Sequence, residues 1–300
     1  MKKYILIFAA AMALFTACNR LDIPGMFINR SDTEERVNDW LTYNELHGEP
    51  VIVNAPDDYT FYVSADTHYA LQDSIVAQGE KDRIYHFVTK ERNDSTACFS
   101  TILGDLAGEA GEAPYLMVKK SLAYNADTQQ DEDPCFCIVG NHDTYFDCAK
   151  WYKEHFHTST YSLTVNTLGG HKDLYLFLDS GNGTHGKRQL DWLKDKLSHR
   201  NEYRHCFVLS HCWLFRTYYN YTMTPQANLP LEEQYDFMAL MSENNVSLVV
   251  LAHSHENEHR EVLGIQYVEI KNLNTEGTPC YLRISCGDKV AYELLLSAKP

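Results

Sequence analysis

Five short groups of residues hold most of the reactive chemistry in this sequence: Asp66-Thr67-His68, Gly104-Asp105, Gly140-Asn141-His142-Asp143, His211, and His253-Ser254-His255. Carboxylate oxygens, an amide carbonyl and neutral imidazoles make a mixed N/O donor set, which suits Mn, Fe, Zn or Co better than Ca or thiolate-bound zinc. Asp66 and His68, like His253 and His255, place two donors on one short extended turn, within reach of neighbouring metal positions. A carboxylate such as Asp105 can bridge two cations and offset their repulsion. Two adjacent ions bind phosphoryl oxygens and lower the pKa of a shared water for in-line attack.

The elements that must position these donors are legible as apolar runs. They are Phe61 to Ala65, Phe99 to Leu103, Phe136 to Val139, Leu174 to Leu178, Cys206 to Ser210 and Leu248 to Ala252. Continuous apolar runs bounded by turns suit strands covered on both faces, as in an α/β sheet. Every donor group follows one of these runs. The carboxyl ends of strands in an open α/β sheet converge on one edge, so five strand ends can meet in space. Helices are expected between them, one with Ile84, Phe87 and Val88, one with Leu190, Leu193 and Leu197, and a looser one with Tyr235, Met238, Leu240 and Met241. Ser31-x-x-Glu34 reads as a capping box opening a helix with Val37, Trp40 and Leu41 on one face, ended by Gly48 and Pro50. Ile265 to Ile270, Cys280 to Ser285 and Val290 to Leu296 read as closing strands of a mixed sheet, with a hairpin turn at Cys286-Gly287-Asp288-Lys289. The polar stretch Asp127 to Asp133 reads as a solvated loop.

The five blocks, in this order, resemble the calcineurin-like metallophosphoesterase superfamily, whose pattern is D-x-H, G-D, G-N-H-[DE], H and G-H-x-H, each after a strand. The resemblance runs from about Tyr59 to His255, and Thr184 to Leu197 after Leu178-Asp179-Ser180 resembles a helix of that family. It implies a layered α/β/β/α sandwich with two mixed β-sheets flanked by helices and a metal site at the strand C-terminal ends. Two divalent transition ions would follow, one held by Asp66, His68, Asp105 and His255, the other by Asp105, Asn141, His211 and His253. It implies hydrolysis of a phosphate mono- or diester by a hydroxide bridging the two ions. His142 becomes the catalytic residue that stabilises phosphate charge or protonates the leaving oxygen, and Asp143 is expected to orient it through the other ring nitrogen. Ala252 departs from the family's usual Gly, which ligation tolerates if the backbone there keeps negative φ. The continuation Leu106-Ala107-Gly108 lacks the Asp-Arg-Gly of Ser/Thr protein phosphatases. Gly108 also stands where purple acid phosphatases carry a tyrosinate ligand.

The N-terminus bears on compartment. Lys2 and Lys3 precede an apolar run from Tyr4 to Phe15 that is short for a membrane span and ends at Thr16-Ala17-Cys18. This reads as a signal peptide over 1–17 with Cys18 as a bacterial lipobox cysteine; simple cleavage near Ala17 to a soluble periplasmic product is the alternative. The expected layout is then a lipid-anchored tether and helix over 18–57 and a metallophosphoesterase domain over 58–300. Losing Lys2 and Lys3 moves the formal charge from −15 to −17. So acidic a chain repels polyanions, which argues against nucleic-acid binding, and no protein partner is expected. The expected partners are a small phosphate ester and, through Cys18, the membrane of the cell envelope.

Eight cysteines remain after Cys18. An oxidising compartment allows disulfides, though no pairing is read, and Cys135 and Cys137 suit buried thiols on one strand face. Trp213, Phe215, Tyr218, Tyr219 and Tyr221 suit packing or a cap, or a wall against a substrate base, sugar or lipid. Asp179 reads as structural, and Asn182 is left open. A catalytically silent, metal-containing binding lipoprotein is the competing reading of the whole chain.

Overall fold

The computed structural model describes residues 32–69, 94–122, 135–215, 229–273 and 280–296. The signal segment, the tether, the helix with Ile84, the loop Asp127 to Asp133 and Tyr218, Tyr219 and Tyr221 lie outside them. Helix α1 (Thr33–His47) precedes β1 (Val51–Ala55), β2 (Tyr59–Ser64), β3 (Ala97–Leu103), α2 (Ala113–Leu122) and β4 (Cys135–Ile138). Then come α3 (Cys148–Phe156), β5 (Tyr161–Thr167), β6 (Lys172–Phe177), α4 (Gly186–Ser198), β7 (His205–Cys212), α5 (Leu231–Glu243) and β8 (Leu248–Ala252). The chain closes with β9 (Glu258–Val262), β10 (Ile265–Glu269), β11 (Cys280–Cys286) and β12 (Val290–Leu296).

These strands form two mixed sheets, of seven in the order β1-β5-β6-β7-β8-β10-β9 and of five in the order β12-β11-β2-β3-β4. The ligand-bearing strands are parallel to their neighbours: β2 with β3, β3 with β4, and β7 with β8. Their carboxyl ends therefore point the same way within each sheet. Between the sheets, Phe61 and Phe99 from one meet Tyr175 and Phe207 from the other, with Phe61–Tyr175 edge-on at 5.0 Å and Tyr175–Phe207 stacked at 4.6 Å. Alternate residues of β6 face opposite ways. Leu174 and Leu176 join Leu193, Leu197, Phe237 and Met241 of α4 and α5, while Tyr175 and Phe177 enter the inter-sheet core. Burial on both faces is what makes such strands read as unbroken apolar runs.

Three strands had no such signal. In β9 the residues Glu258 to Val262 are half-buried or exposed, β5 interleaves Ser, Thr and Asn with its apolar residues, and β1 is an edge strand with Val51 and Val53 exposed. The capping box is also displaced by one residue. Asp32 caps α1, its carboxylate accepting the Glu35 N–H at 3.1 Å, while Glu34 accepts the backbone N–H groups of Lys187 and Arg188 at the start of α4. At the other end Gly48 takes φ of 81° and donates to Asn44 O at 2.8 Å. The hairpin forms at Gly287 to Lys289, between paired Cys286 and Val290.

Helix α1 and strand β1, before residue 58, pack with the strands that follow. Val37, Trp40 and Leu41 of α1 belong to the inter-sheet core cluster, and β1 pairs with β5. Arg36 holds Asp179 in a two-pronged ion pair, Nε and Nη2 each at 3.0 Å, and Trp40 Nε1 donates to the same carboxylate at 3.1 Å. Asp179 is structural, as its position after β6 suggested, because its other oxygen accepts the Gly181 N–H and shapes the loop beside the site. Among the described residues, the eight cysteines are thiols rather than disulfides. No described helix is long and apolar enough to cross a membrane.

Because Arg36 and Asp179 are both almost wholly buried, removing one charge strands the other. Asp179→Ala is expected to cost about 3–5 kcal/mol of unfolding free energy, measured by denaturant titration; a change below about 1 kcal/mol would contradict this account.

Candidate metal centre

The ligand loops continue the strand ladder beyond the last strand residue. Asp66 N donates to Gly104 O at 3.0 Å, His68 N to Asp105 O at 2.9 Å, and Tyr69 N to Leu106 O at 2.9 Å, so the turns after β2 and β3 are laced together. The backbone is left-handed at five of the seven expected ligands, three within that lacing and two after β8: φ is 53° at Asp66, 45° at His68, 51° at Asp105, 84° at His253 and 59° at His255. Such conformations persist only where surrounding contacts over-determine them. Ala252 is not among the described residues with positive φ, which meets the condition that its methyl imposed. Gly104 is left-handed at 86°, and a Cβ on it or on Gly140 would drive into the neighbouring loop, at Gly140 into Asp105 itself.

The expected ligands converge in two overlapping groups. In the first, His68 Nε2 lies 3.1 Å from His255 Nε2, 3.8 Å from Asp66 Oδ1 and 3.6 Å from Asp105 Oδ2, and His255 Nε2 lies 3.4 Å from Asp66 Oδ1. In the second, His211 Nε2 lies 3.6 Å from Asp105 Oδ2, 3.2 Å from Asn141 Oδ1 and 3.1 Å from His253 Nδ1. Asp105 Oδ2 is common to both. Among the described residues, every cluster of three or more acids, histidines or cysteines close enough for one ion draws on these groups and His142.

The donor atoms suit cations. His211 Nδ1 meets Leu103 O at 2.7 Å, so that nitrogen carries the proton and Nε2 turns a lone pair to the cluster. Asp66 Oδ1 is buried without a hydrogen-bond partner, an orphan that a cation would satisfy. Burial pushes the His68 and His253 imidazoles down, to about 4 and about 3, so both are neutral at pH 7, the form in which an imidazole can ligate. Burial alone would raise Asp105 and Asp66, but neighbouring imidazoles outweigh it and hold both carboxyls below their usual range. Asp105 and Asp66 in turn hold His211 above its usual value against burial.

Asp143 does not orient His142. Its carboxylate is fully buried and accepts the N–H groups of Leu106, Ala107 and Gly140, at 3.1, 3.2 and 2.9 Å, and the Tyr115 hydroxyl at 3.0 Å. The short helical turn His142–Thr144 aims Asp143 inward under the loops while His142 faces out. His142 is half-buried, edge-on to His68 at 4.6 Å between ring centres, and its backbone N–H donates to Asp105 Oδ1 at 2.8 Å. Burial, then the charge on Asp105, raises Asp143 to about 6.

Three supporting groups escaped sequence reading. Tyr145 OH accepts from Asn141 Nδ2 at 2.8 Å, which turns the amide oxygen toward His211. Ser254, between His253 and His255, donates its N–H at 2.9 Å and its hydroxyl to buried Glu269. Ser180 Oγ accepts the His211 N–H at 3.2 Å. Only the buried acid at the end of an apolar strand, Glu269, carried a signal of its own. Trp213 is buried beside half-buried Phe215, which matches packing, and Asn182 is buried.

A family model for calcineurin-like phosphoesterase matches residues 59–257, which spans β2 to the turn after β8 and all five blocks. The chain belongs to the calcineurin-like phosphoesterase family. No curated protein sequence matches it. Among solved structures it is similar to a dimetal phosphatase from Danio rerio, with TM-score 0.59, 12% identity, and 81% of this chain and 99% of that one covered. It is also similar to a purple acid phosphatase from yellow lupin seeds, with TM-score 0.58, 12% identity, and 80% and 52% covered. A third is GAP50, the anchor in the inner membrane complex of Plasmodium, with TM-score 0.56, 12% identity, and 81% and 85% covered. At such identities the likeness is one of fold, and the phosphoesterase family assignment rests on the family-model match over residues 59–257.

If Asp143 is the staple between the two loops, Asp143→Ala leaves three buried amides and a phenol unpaired. At about 1–3 kcal/mol for a stranded donor, the variant is expected to unfold at clearly lower denaturant, with an unfolding free energy at least about 3 kcal/mol below the parent's. A loss of activity with unchanged stability would instead return Asp143 to a role at His142.

Proposed function

We propose that this chain is an exported, lipid-anchored hydrolase of small phosphate esters, with two divalent transition ions from among Mn, Fe, Zn and Co. The observation that carries the reading is the sharing of Asp105 Oδ2 between two donor clusters, at 3.6 Å from His68 Nε2 and 3.6 Å from His211 Nε2. Asp66, His68, Asp105 and His255 hold one ion, and Asp105, Asn141, His211 and His253 the other. When bound, the pair supplies Lewis acidity to the phosphoryl oxygens and a water of lowered pKa as the nucleophile. His142, outward-facing beside His68, stabilises phosphate charge and delivers a proton to the leaving oxygen. Acylation at Cys18 places the enzyme on the bacterial cell envelope.

The mature chain, assayed for bound metal and against nitrophenyl phosphate and bis-nitrophenyl phosphate, tests this. His142→Ala is expected to keep two metal equivalents while kcat falls by about 10²–10⁴. Asp105→Ala is expected to lose both metal and turnover. Two equivalents with no turnover on a broad ester panel would replace the enzyme by the silent metal-containing binding lipoprotein, and no transition metal after refilling would overturn both. Palmitate labelling that survives Cys18→Ala would remove the anchor.

A further inference from the structure

Strands β7 and β8 pair at Leu209↔Val250 and again at Cys212↔Ala252, so β7 carries one residue more and Ser210–His211 sits at an irregularity of bulge type. A bulge takes backbone groups out of the ladder. Here the interruption falls on the residue whose imidazole enters the metal cluster. One side chain takes up the freed donors: Ser180 Oγ accepts the His211 N–H at 3.2 Å and the Cys212 N–H at 3.0 Å, which fills its two lone pairs, and lies 3.0 Å from the Ser210 hydroxyl.

A second layer stands behind that hydroxyl. His185, outside every ligand motif, is 1% exposed, stacks on Phe237 at 5.0 Å, and brings Nε2 to 3.4 Å from Ser210 Oγ. Glu233 of α5 fixes it from the far side. Its Oε1 accepts the His185 backbone N–H at 2.6 Å and lies 3.2 Å from Nδ1, while Oε2 accepts the Thr184 hydroxyl at 2.8 Å. The result is a row of close polar groups from α5 to the backbone of a metal-facing histidine, in which Glu233 bonds the His185 backbone while Nδ1 faces its carboxylate without a hydrogen bond. His211 is thus held at two points, its ring by Leu103 O and its backbone by Ser180. Groups that orient a ligand without touching the ion commonly set affinity by about 10–100-fold.

We propose that Ser180, backed by the His185–Glu233 pair, is a positioning residue that fixes the His211 bulge and so sets how tightly the second metal position holds its ion. This rests on the reading of His211 as a ligand. The test is calorimetric titration of the intact, metal-free mature protein with Mn²⁺, for the parent and for Ser180→Ala, Ser180→Thr, His185→Phe and Glu233→Gln. The parent is expected to show two binding steps. Ser180→Ala and His185→Phe should weaken one of them by about 10–100-fold and leave the other unchanged, and Ser180→Thr, which keeps the hydroxyl, should restore it. Amide exchange over residues 208–214 should also quicken in metal-free Ser180→Ala.

Equal weakening of both steps, or of neither, would overturn the proposal. If Ser180→Ala fails to fold, His185→Phe and Glu233→Gln decide by the same criterion. A parent that binds two ions yet hydrolyses no ester removes the phosphoesterase reading and leaves this one standing. A parent that binds none removes both.

Discussion

The site depends on one buried carboxylate that never needs to meet a metal. Asp143 gathers three backbone N–H groups from two loops that arrive on different strands, β3 and β4, and the Tyr115 phenol from α2. Burying a carboxylate is unfavourable unless its lone pairs are taken, and four donors take them. The consequence is positional. Leu106 follows Asp105, and Gly140 precedes Asn141, so pinning those amides to one carboxylate sets the separation between a ligand shared by both clusters and a ligand of one. Gly140 itself must lack a side chain for the two loops to lie this close.

Such pinning matters because donor atoms assembled for cations oppose one another. Nitrogens stand 3.1 Å apart at both His68–His255 and His211–His253. Burial keeps the imidazoles of His68 and His253 neutral, so neither pair sets two charges against each other, but so close an approach still needs a frame to hold it. The backbone therefore has to hold the arrangement, through the extended β2–β3 lacing, the Ser254–Glu269 contact and the hydroxyl of Ser180. Below, the interleaved aromatics Phe61, Phe99, Tyr175 and Phe207 keep the sheets in register with each other.

How much of this was legible follows from what kind of physics each part obeys. The convergence of the candidate donors could be foreseen because metal binding would limit donor chemistry and because parallel strands deliver their ends to one edge; both constraints act on residue type and order. The two-sided burial of β2, β3, β6, β7 and β8 left unbroken apolar runs. Edge and outer strands such as β1 and β9 lack that burial, and the pattern goes with it. The resemblance implied that Asp143 orients His142, whereas the turn sends these consecutive side chains to opposite sides and gives Asp143 other partners. Tyr145, Ser180 and His185 act through partners chosen by tertiary packing, and their spacing carries no trace of it. The packing of α1 was hidden for the same reason: nothing local announces that Arg36 meets Asp179.

The left-handed ligands suggest why Asp and His, rather than other donors, occupy these turns. A side chain at positive φ crowds the following carbonyl, and the crowding is worst for branched and bulky residues. Asp and His are among the non-glycine residues most often found there. At Asp66, His68, Asp105, His253 and His255 the residue types that bind hard and borderline cations are thus also types that the backbone tolerates. Replacing His253 by a residue that cannot ligate removes a donor and changes the conformational preference of the turn together, so a loss of metal binding in such a variant does not by itself identify the lost ligand bond. Asn enters the left-handed region readily and keeps a side-chain oxygen, which makes it the more informative substitution at Asp66 and Asp105, because it removes the charge while sparing the turn.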